Sequence, residues 1–214
     1  MSDHGRSRGR QSLYRWYYVL VAKLIGGPVY TLLYFHRAEE LSNVPRSGPV
    51  ILAPNHLSYL DPPAVAYRVR RRVHFLAWSA LFGGRLANHV LRRLGAIPID
   101  VDGRDPSAYR AAVELLRAGE LVCIFPEGGR GAGKGEEPLK PGFARLALHT
   151  GALVVPVVVE GTARAWSRFM RWPRVMVPIR VRYLAPIAPT RREGESRKAA
   201  EERLIEAVRE AWRG

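Results

Sequence analysis

Cysteine is almost missing from this chain: among 214 residues only Cys123 carries a thiol, which excludes an intrachain disulfide. It lies mid-strand in Leu121-Val122-Cys123-Ile124-Phe125, where a small buried apolar residue is expected rather than a nucleophile. Such a composition is compatible with a reducing compartment. His74, His89 and His149 are scattered without paired ligand spacing, so no metal is expected. Ser58 lacks the Gly-x-Ser-x-Gly context of a strained nucleophile turn, which argues against a serine enzyme. There is no helix-turn-helix signature, RNP motif or zinc spacing, and no nucleic acid is expected as partner. No internal repeat is visible. Lysine is scarce as well: of 34 basic residues only Lys23, Lys134, Lys140 and Lys198 are lysine.

What the chain does have is positive charge. Against 34 basic residues stand 19 acidic ones, a net charge of +15, which favours anionic partners: acidic phospholipid, nucleic acid or a phosphorylated substrate. Hydrophobic content of 47% and charged content of 25% are those of an ordinary globular protein. The length suits one domain with a sizeable core.

Residues 1–12 are polar, with Arg6, Arg8 and Arg10 among Gly and Ser, and read as a disordered basic tail. Residues 13–40 read as a membrane-associating helical segment. Trp16 to Ile25 and Val29 to Phe35 are apolar, separated by Gly26-Gly27-Pro28. No small-residue cleavage site follows, which argues against a signal peptide. Lys23 and the Gly-Gly-Pro break favour two short helices lying in one leaflet over a spanning helix. Trp16, Tyr17, Tyr18, Tyr30 and Tyr34 suit the interface, and Arg15, Lys23, His36 and Arg37 the headgroups. Packing of this pair on the protein itself is the competing reading.

From residue 41 to 214 strand and helix patterns alternate. Strands are expected at Val50 to Ala53, Val73 to Ala77, Ala96 to Asp100, Leu121 to Phe125, Leu153 to Val159 and Val175 to Tyr183. Helices are expected at Pro62 to Arg70 and at Leu81 to Leu94, the latter weak at Gly83-Gly84. Another should follow an Asp105 cap with Tyr109, Ala112, Val113 and Leu116 on one face, ending at Gly119. Phe143, Leu146 and Ala147 mark a helix that stops at Gly151, and Leu204, Ile205, Val208 and Trp212 mark a C-terminal one. This alternation predicts a single α/β domain, with a mainly parallel mixed sheet flanked by helices.

The segment from Asn55 to Pro63, Asn-His-Leu-Ser-Tyr-Leu-Asp-Pro-Pro, follows the apolar run Ile51-Leu52-Ala53 and reads as strand end, loop and helix start. Asp61 reads as the N-cap and Pro62 as the first helical residue. His56 and Asp61 then share a tight turn. An aspartate that accepts from one imidazole nitrogen leaves the other free to take a proton. Phe125-Pro126-Glu127-Gly128-Gly129-Arg130-Gly131 also follows an apolar run. Glu127 is read either as a tie to a backbone amide or arginine or as a direct contact in the chemistry.

Together these stretches resemble the glycerolipid acyltransferase superfamily, and most closely the 1-acyl-glycerol-3-phosphate acyltransferases. His56 to Asp61 resembles the family's His-x4-Asp block. Gly95-Ala96-Ile97-Pro98-Ile99-Asp100 resembles its second block, with Val101 where arginine is usual. Phe125 to Gly131 resembles the third, with Gly129 and Gly131 replacing Thr and Ser, and Val155-Pro156-Val157 resembles the fourth.

The resemblance implies transfer of a fatty acyl group from a thioester to a lysophospholipid hydroxyl, most closely 1-acyl-glycerol-3-phosphate. It implies His56 and Asp61 as catalytic residues. Glu127, Gly128 and Arg130 would bind substrate, with Arg104, or Arg92 or Arg93, in place of the missing second-block arginine. Backbone amides after Phe125 are candidates for holding the oxyanion. No cofactor is implied beyond acyl-CoA or acyl-carrier protein as co-substrate. The expected partners are a membrane phospholipid surface, that donor and the lysophospholipid. The expected location is the cytoplasmic face of the cell membrane, peripheral or monotopic. Another lysolipid acceptor, a transacylase, or a non-enzymatic basic module binding membrane or nucleic acid are the alternatives.

Overall fold

The computed structural model describes residues 26–99, 106–129, 138–167 and 169–214. A seven-stranded sheet runs through it in the order β1-β7-β6-β2-β5-β3-β4. The strands are β1 (Arg37–Glu39), β2 (Val50–Pro54), β3 (Val73–Trp78), β4 (Ala96–Ile99), β5 (Leu121–Cys123), β6 (Leu153–Glu160) and β7 (Arg180–Tyr183). All neighbouring pairs are parallel except β6 with β7. The helices are α1 (Gly27–Tyr34), α2 (Asp61–Tyr67), α3 (Arg85–Arg93), α4 (Ser107–Arg117), α5 (Gly142–Thr150), α6 (Thr162–Trp166) and α7 (Arg197–Arg213). The expected single α/β domain with a mostly parallel mixed sheet is the one found.

The central strands are apolar at every position because both faces of the sheet are covered. Val50, Leu52, Leu121, Cys123, Val155 and Val157 point into one core, with Val65 of α2 and Tyr30 and Tyr34 of α1. Ile51, Ala53, Val122 and Val154 point into the other, with Leu116 of α4, Phe143 of α5 and Leu204 of α7. The two cores thus alternate along each strand with the period of two that a pleated backbone imposes.

Several expectations need correction. The helix expected from Leu81 to Leu94 is split. A 3-10 turn covers Ser79–Phe82, and α3 starts only after Gly83-Gly84, where two glycines carry no side chain to stabilise a continuous helix. The strand expected from Val175 to Tyr183 is confined to β7. Pro178 cannot donate to a ladder, and Met176 has a positive φ of 61°. The strand from Leu121 ends at Cys123. Two elements went unpredicted: the three-residue edge strand β1 and the five-residue helix α6, both too short to show a period.

At the N-terminal side, α1 packs on the protein. Tyr30, Tyr34 and His36 are buried rather than turned to a membrane interface. The Tyr30 hydroxyl donates to the Leu60 carbonyl at 3.1 Å, and His36 Nε2 lies 3.1 Å from the Ala64 carbonyl. Gly27 is pressed against the Tyr67 ring so closely that a Cβ would overlap it. Val29, Leu32 and Phe35 form the outer, exposed face of α1. The expected tail, the apolar stretch from Trp16 to Ile25, and the Asp105 cap lie outside the described residues.

Candidate active site

Parallel strands β2, β5, β3 and β6 end at one edge of the sheet. The turns leaving β2 and β5 lie side by side there, because these strands pair directly, Val50 with Leu121. The chain leaves β2 toward β3, returns to β5, and crosses to β6 on the other side of β2. That reversal is a topological switch point at the carboxyl ends of the strands, the usual ligand position in open α/β sheets.

His56 stands on the first turn. Its Nδ1 is 2.9 Å from Asp61 Oδ2, with Asp61 fully buried and the imidazole still reachable at 17% side-chain exposure. Asp61 is not the N-cap. Leu60 holds that place and Asp61 is the first helical residue, with no downstream capping bond. The reason is chemical. Pro62 and Pro63 have no N–H, and the amide of Ala64 already donates to the Leu60 carbonyl at 3.1 Å. With no donor ahead of it, the carboxylate turns back. Oδ2 accepts from the Leu57 amide at 2.6 Å and the Ser58 amide at 2.7 Å as well as facing His56.

Hydrogen bonds to a buried charge are worth roughly 1.5–3 kcal/mol each, so this oxygen is tightly fixed. Its negative charge is felt by its surroundings. Burial raises the Tyr30 phenol above its ordinary pKa and Asp61 adds to the rise; the same two causes raise the Cys123 thiol.

The imidazole is clamped from the other side as well. Phe125 stacks on it with ring centroids 4.0 Å apart and 26° between planes. Glu127 Oε1 accepts from the His56 backbone amide at 3.0 Å, the backbone tie that is one of the two readings open for this residue. Asn55 extends the β2–β6 pairing, donating to the Val159 carbonyl at 3.1 Å and accepting from the Val159 amide at 2.7 Å. Ser58 is buried, and its hydroxyl donates to the Trp166 carbonyl at 2.5 Å while accepting from the Leu60 amide at 3.1 Å. A hydroxyl so engaged holds the loop in place.

Gly128 has a φ of +68°, the left-handed region that favours glycine, and the Lys140 side chain lies over it, Cδ 2.5 Å from the position of a Cβ. Its amide donates to the Phe125 carbonyl at 3.0 Å, which removes it from the amides available to an oxyanion. Lys140 was not singled out from the sequence. It brings a cation against the Glu127-Gly128 turn, and its amide donates to the Pro126 carbonyl at 2.8 Å. A lysine placed between Leu139 and Pro141, directly ahead of a helix on the same edge, was the available signal. Arg104 and Arg130 lie outside the described residues. Arg92 and Arg93 sit in the last turn of α3, which runs back from this edge.

An imidazole held through Nδ1 by a buried carboxylate presents Nε2 as a proton acceptor. Among known proteins, the 1-acyl-sn-glycerol-3-phosphate acyltransferase of Bacillus subtilis is 27% identical over 130 residues, 60% of this chain and 64% of that protein. The protein of the same name from Borreliella burgdorferi is 31% identical over 122 residues, 56% of this chain and 49% of that protein. The chain thus aligns with about half to two thirds of the length of these relatives. The crystal structure of the 1-acyl-sn-glycerophosphate (LPA) acyltransferase PlsC from Thermotoga maritima superposes with a TM-score of 0.69 at 26% identity, covering 94% of this chain and 82% of that one. The Acyltransferase family pattern matches residues 36–160, more than half of the chain, from β1 to the end of β6, and this chain belongs to that family.

Proposed function

We propose that this protein transfers a fatty acyl group from an acyl thioester to the free hydroxyl of a lysophospholipid, with 1-acyl-glycerol-3-phosphate as acceptor and phosphatidate as product. The observation that carries the reading is the 2.9 Å contact from His56 Nδ1 to a buried Asp61 carboxylate at the carboxyl edge of the sheet. His56 Nε2 takes the hydroxyl proton as the hydroxyl oxygen attacks the thioester carbonyl. The tetrahedral adduct collapses, the C–S bond breaks, and the departing sulfur takes the proton back from the imidazolium. A thioester is already activated, so no acyl-enzyme is needed. Asp61 fixes the tautomer and stabilises the imidazolium. General-base action of this kind is worth roughly 10²–10⁴-fold in rate.

Glu127 and Gly128 shape the turn beside the base. Arg130, with Arg104, is assigned to the acceptor phosphate, since a guanidinium fork binds two oxygens at once and stays charged. Lys140 adds a cation against the Glu127-Gly128 turn. The donor is acyl-CoA or acyl-carrier protein. No helix among the described residues is long and apolar enough to cross a membrane. We assign the segment ahead of β1 to membrane contact at the cytoplasmic face. The exposed Val29, Leu32 and Phe35 on α1 support it.

The test is an acceptor panel with purified full-length chain and a labelled thioester, read as lipid product and released thiol. Phosphatidate formed only with 1-acyl-glycerol-3-phosphate, and lost roughly 10²–10⁴-fold in His56→Ala at unchanged melting temperature, supports the reading. Near-normal turnover by His56→Ala removes the mechanism. Preference for a different lysolipid reassigns the acceptor, an arm motivated by Val101 at the usual arginine position.

A further inference from the structure

Among the described residues, every large apolar side chain left exposed belongs to a segment that enters or leaves the sheet at the edge carrying His56. Val29, Leu32 and Phe35 lead into β1, Tyr59 follows β2, Trp78, Leu81 and Leu86 end or follow β3, and Phe169, Trp172, Val175 and Met176 join β6 to β7. No such side chain stands at the opposite edge. Scatter alone would spread them over both.

The densest stretch is the excursion between β6 and β7. Phe169 is 79% exposed, Trp172 73% and Met176 62%. Arg164, Arg171 and Arg174 are exposed among them. No carboxylate among the described residues lies within ion-pair distance of these arginines. Arg164 and Arg174 line an open cavity of ≈ 470 Å³ together with Met170 and Met176.

The excursion is also held in place. The Arg174 amide donates to the Ala165 carbonyl at 2.7 Å and the Met176 amide to the Leu33 carbonyl at 2.7 Å. Trp166 Nε1 donates to the Met170 carbonyl at 3.2 Å. Gly161 makes the turn into it, with φ of +88° and a Cβ position 2.1 Å from the Pro178 carbonyl oxygen. The side chains therefore stand out in water because the backbone holds them there. The bond from Met176 to Leu33 makes this surface continuous with the outer face of α1.

We propose that the β6–β7 excursion docks the protein on an anionic phospholipid bilayer, Phe169 and Trp172 entering the interface while Arg164, Arg171 and Arg174 meet lipid phosphates. Aromatic and aliphatic side chains interleaved with arginine are what an interfacial surface binds by, and the net charge of +15 selects anionic lipid. Docking by this edge faces His56 toward the bilayer, so a lysolipid reaches it laterally without leaving the lipid phase. The proposal rests on the lipid-substrate reading and names the surface and lipid charge that serve it.

The experiment is flotation of full-length chain with phosphatidylglycerol or phosphatidylcholine vesicles, without substrate. Wild type partitions onto phosphatidylglycerol, less so as salt rises. The double variant Phe169→Ser/Trp172→Ser loses about tenfold or more in partition. Arg171→Ala/Arg174→Ala loses roughly tenfold on phosphatidylglycerol and little on phosphatidylcholine. Arg70→Ala/Arg117→Ala, a charge-matched change at the opposite edge, partitions as wild type does. Thermal melts establish that each variant is folded. A folded Phe169→Ser/Trp172→Ser variant that partitions like wild type overturns the proposal, as does equal loss in Arg70→Ala/Arg117→Ala. Turnover on a monomeric short-chain acceptor separates the two readings. Lost docking with retained turnover supports both, and absent turnover in wild type with intact docking sinks only the enzymatic one.

Discussion

The turn leaving β2 and the turn leaving β6 start from adjacent parallel strands at the same edge, yet they direct their side chains oppositely. After β2, polar groups go inward. Asp61 is fully buried and its Oδ2 faces three donors, while Ser58 bonds in both directions. After β6, backbone amides and the Trp166 indole make the bonds, and Phe169, Trp172 and Met176 are left in water. The difference separates two kinds of preorganisation. A buried charge must be satisfied locally or it destabilises the fold, so the first turn is rigid by electrostatic necessity. The second is held by its backbone, and its exposed Phe169, Trp172 and Met176 side chains carry none of that bonding. The Ser58 hydroxyl on the Trp166 carbonyl joins the two.

The strongest way to break the first turn is Asp61→Asn. An amide keeps the shape but removes the charge that orients His56, and turnover is expected to fall about 10³-fold. Steady-state kinetics checks it. A fall of less than tenfold means that the carboxylate only shapes the loop.

Acid comes next, acting on two desolvated histidines of the sheet scaffold. Burial lowers the His36 pKa to about 4 from 6.5, with the Ala64 carbonyl opposing and Arg68 adding to the shift. Burial, with Arg72, likewise lowers His74 to about 4. As pH falls from 6.5 toward 4 the unfolded chain takes up these protons and the native one does not. Stability is therefore present above the ordinary histidine range, is lost across that window, and levels off below it. The loss is roughly 3 kcal/mol per histidine. Urea midpoints against pH measure it, and His74→Gln should flatten the slope by about half.

Gly161→Ala attacks the second turn. It places a methyl on the Pro178 carbonyl at a left-handed φ, a cost of about 2 kcal/mol or more. Melting temperature should drop by several degrees. Vesicle binding is expected to suffer more than monomeric turnover, and the reverse order would erase the distinction between the two turns. Ser58→Ala, which cuts the link, has the smallest effect, roughly 1–2 kcal/mol by calorimetry. A larger fall in turnover than in stability would give Ser58 a part in the chemistry itself.

Elements with a long period or clear punctuation were legible before any coordinates. Six of the seven strands were visible as apolar or alternating runs, and Gly119 and Gly151 marked helix ends at positive φ. The pairing of His56 with Asp61 was legible from spacing, since a turn that short keeps both ends within reach. What failed was short or non-local. Three residues of β1 carry no pattern, and the placing of Tyr30, Tyr34 and His36 depended on Leu60, Ala64 and Tyr67, about thirty residues away. The aromatic character of that stretch suited a membrane and a core equally well.

By itself the amino-acid order determined the alternating strands and helices, the imidazole five residues ahead of a carboxylate, and the surplus of arginine. These follow from local rules of burial, turn chemistry and charge. Tertiary structure alone decided that the carboxylate turns back rather than caps its helix. It alone brought Phe125, Glu127 and Lys140 around His56, and it gathered the exposed apolar side chains on one edge. The reason is that strand order sets which distant turns become neighbours, and strand order is written in the packing of whole faces, not in any single segment.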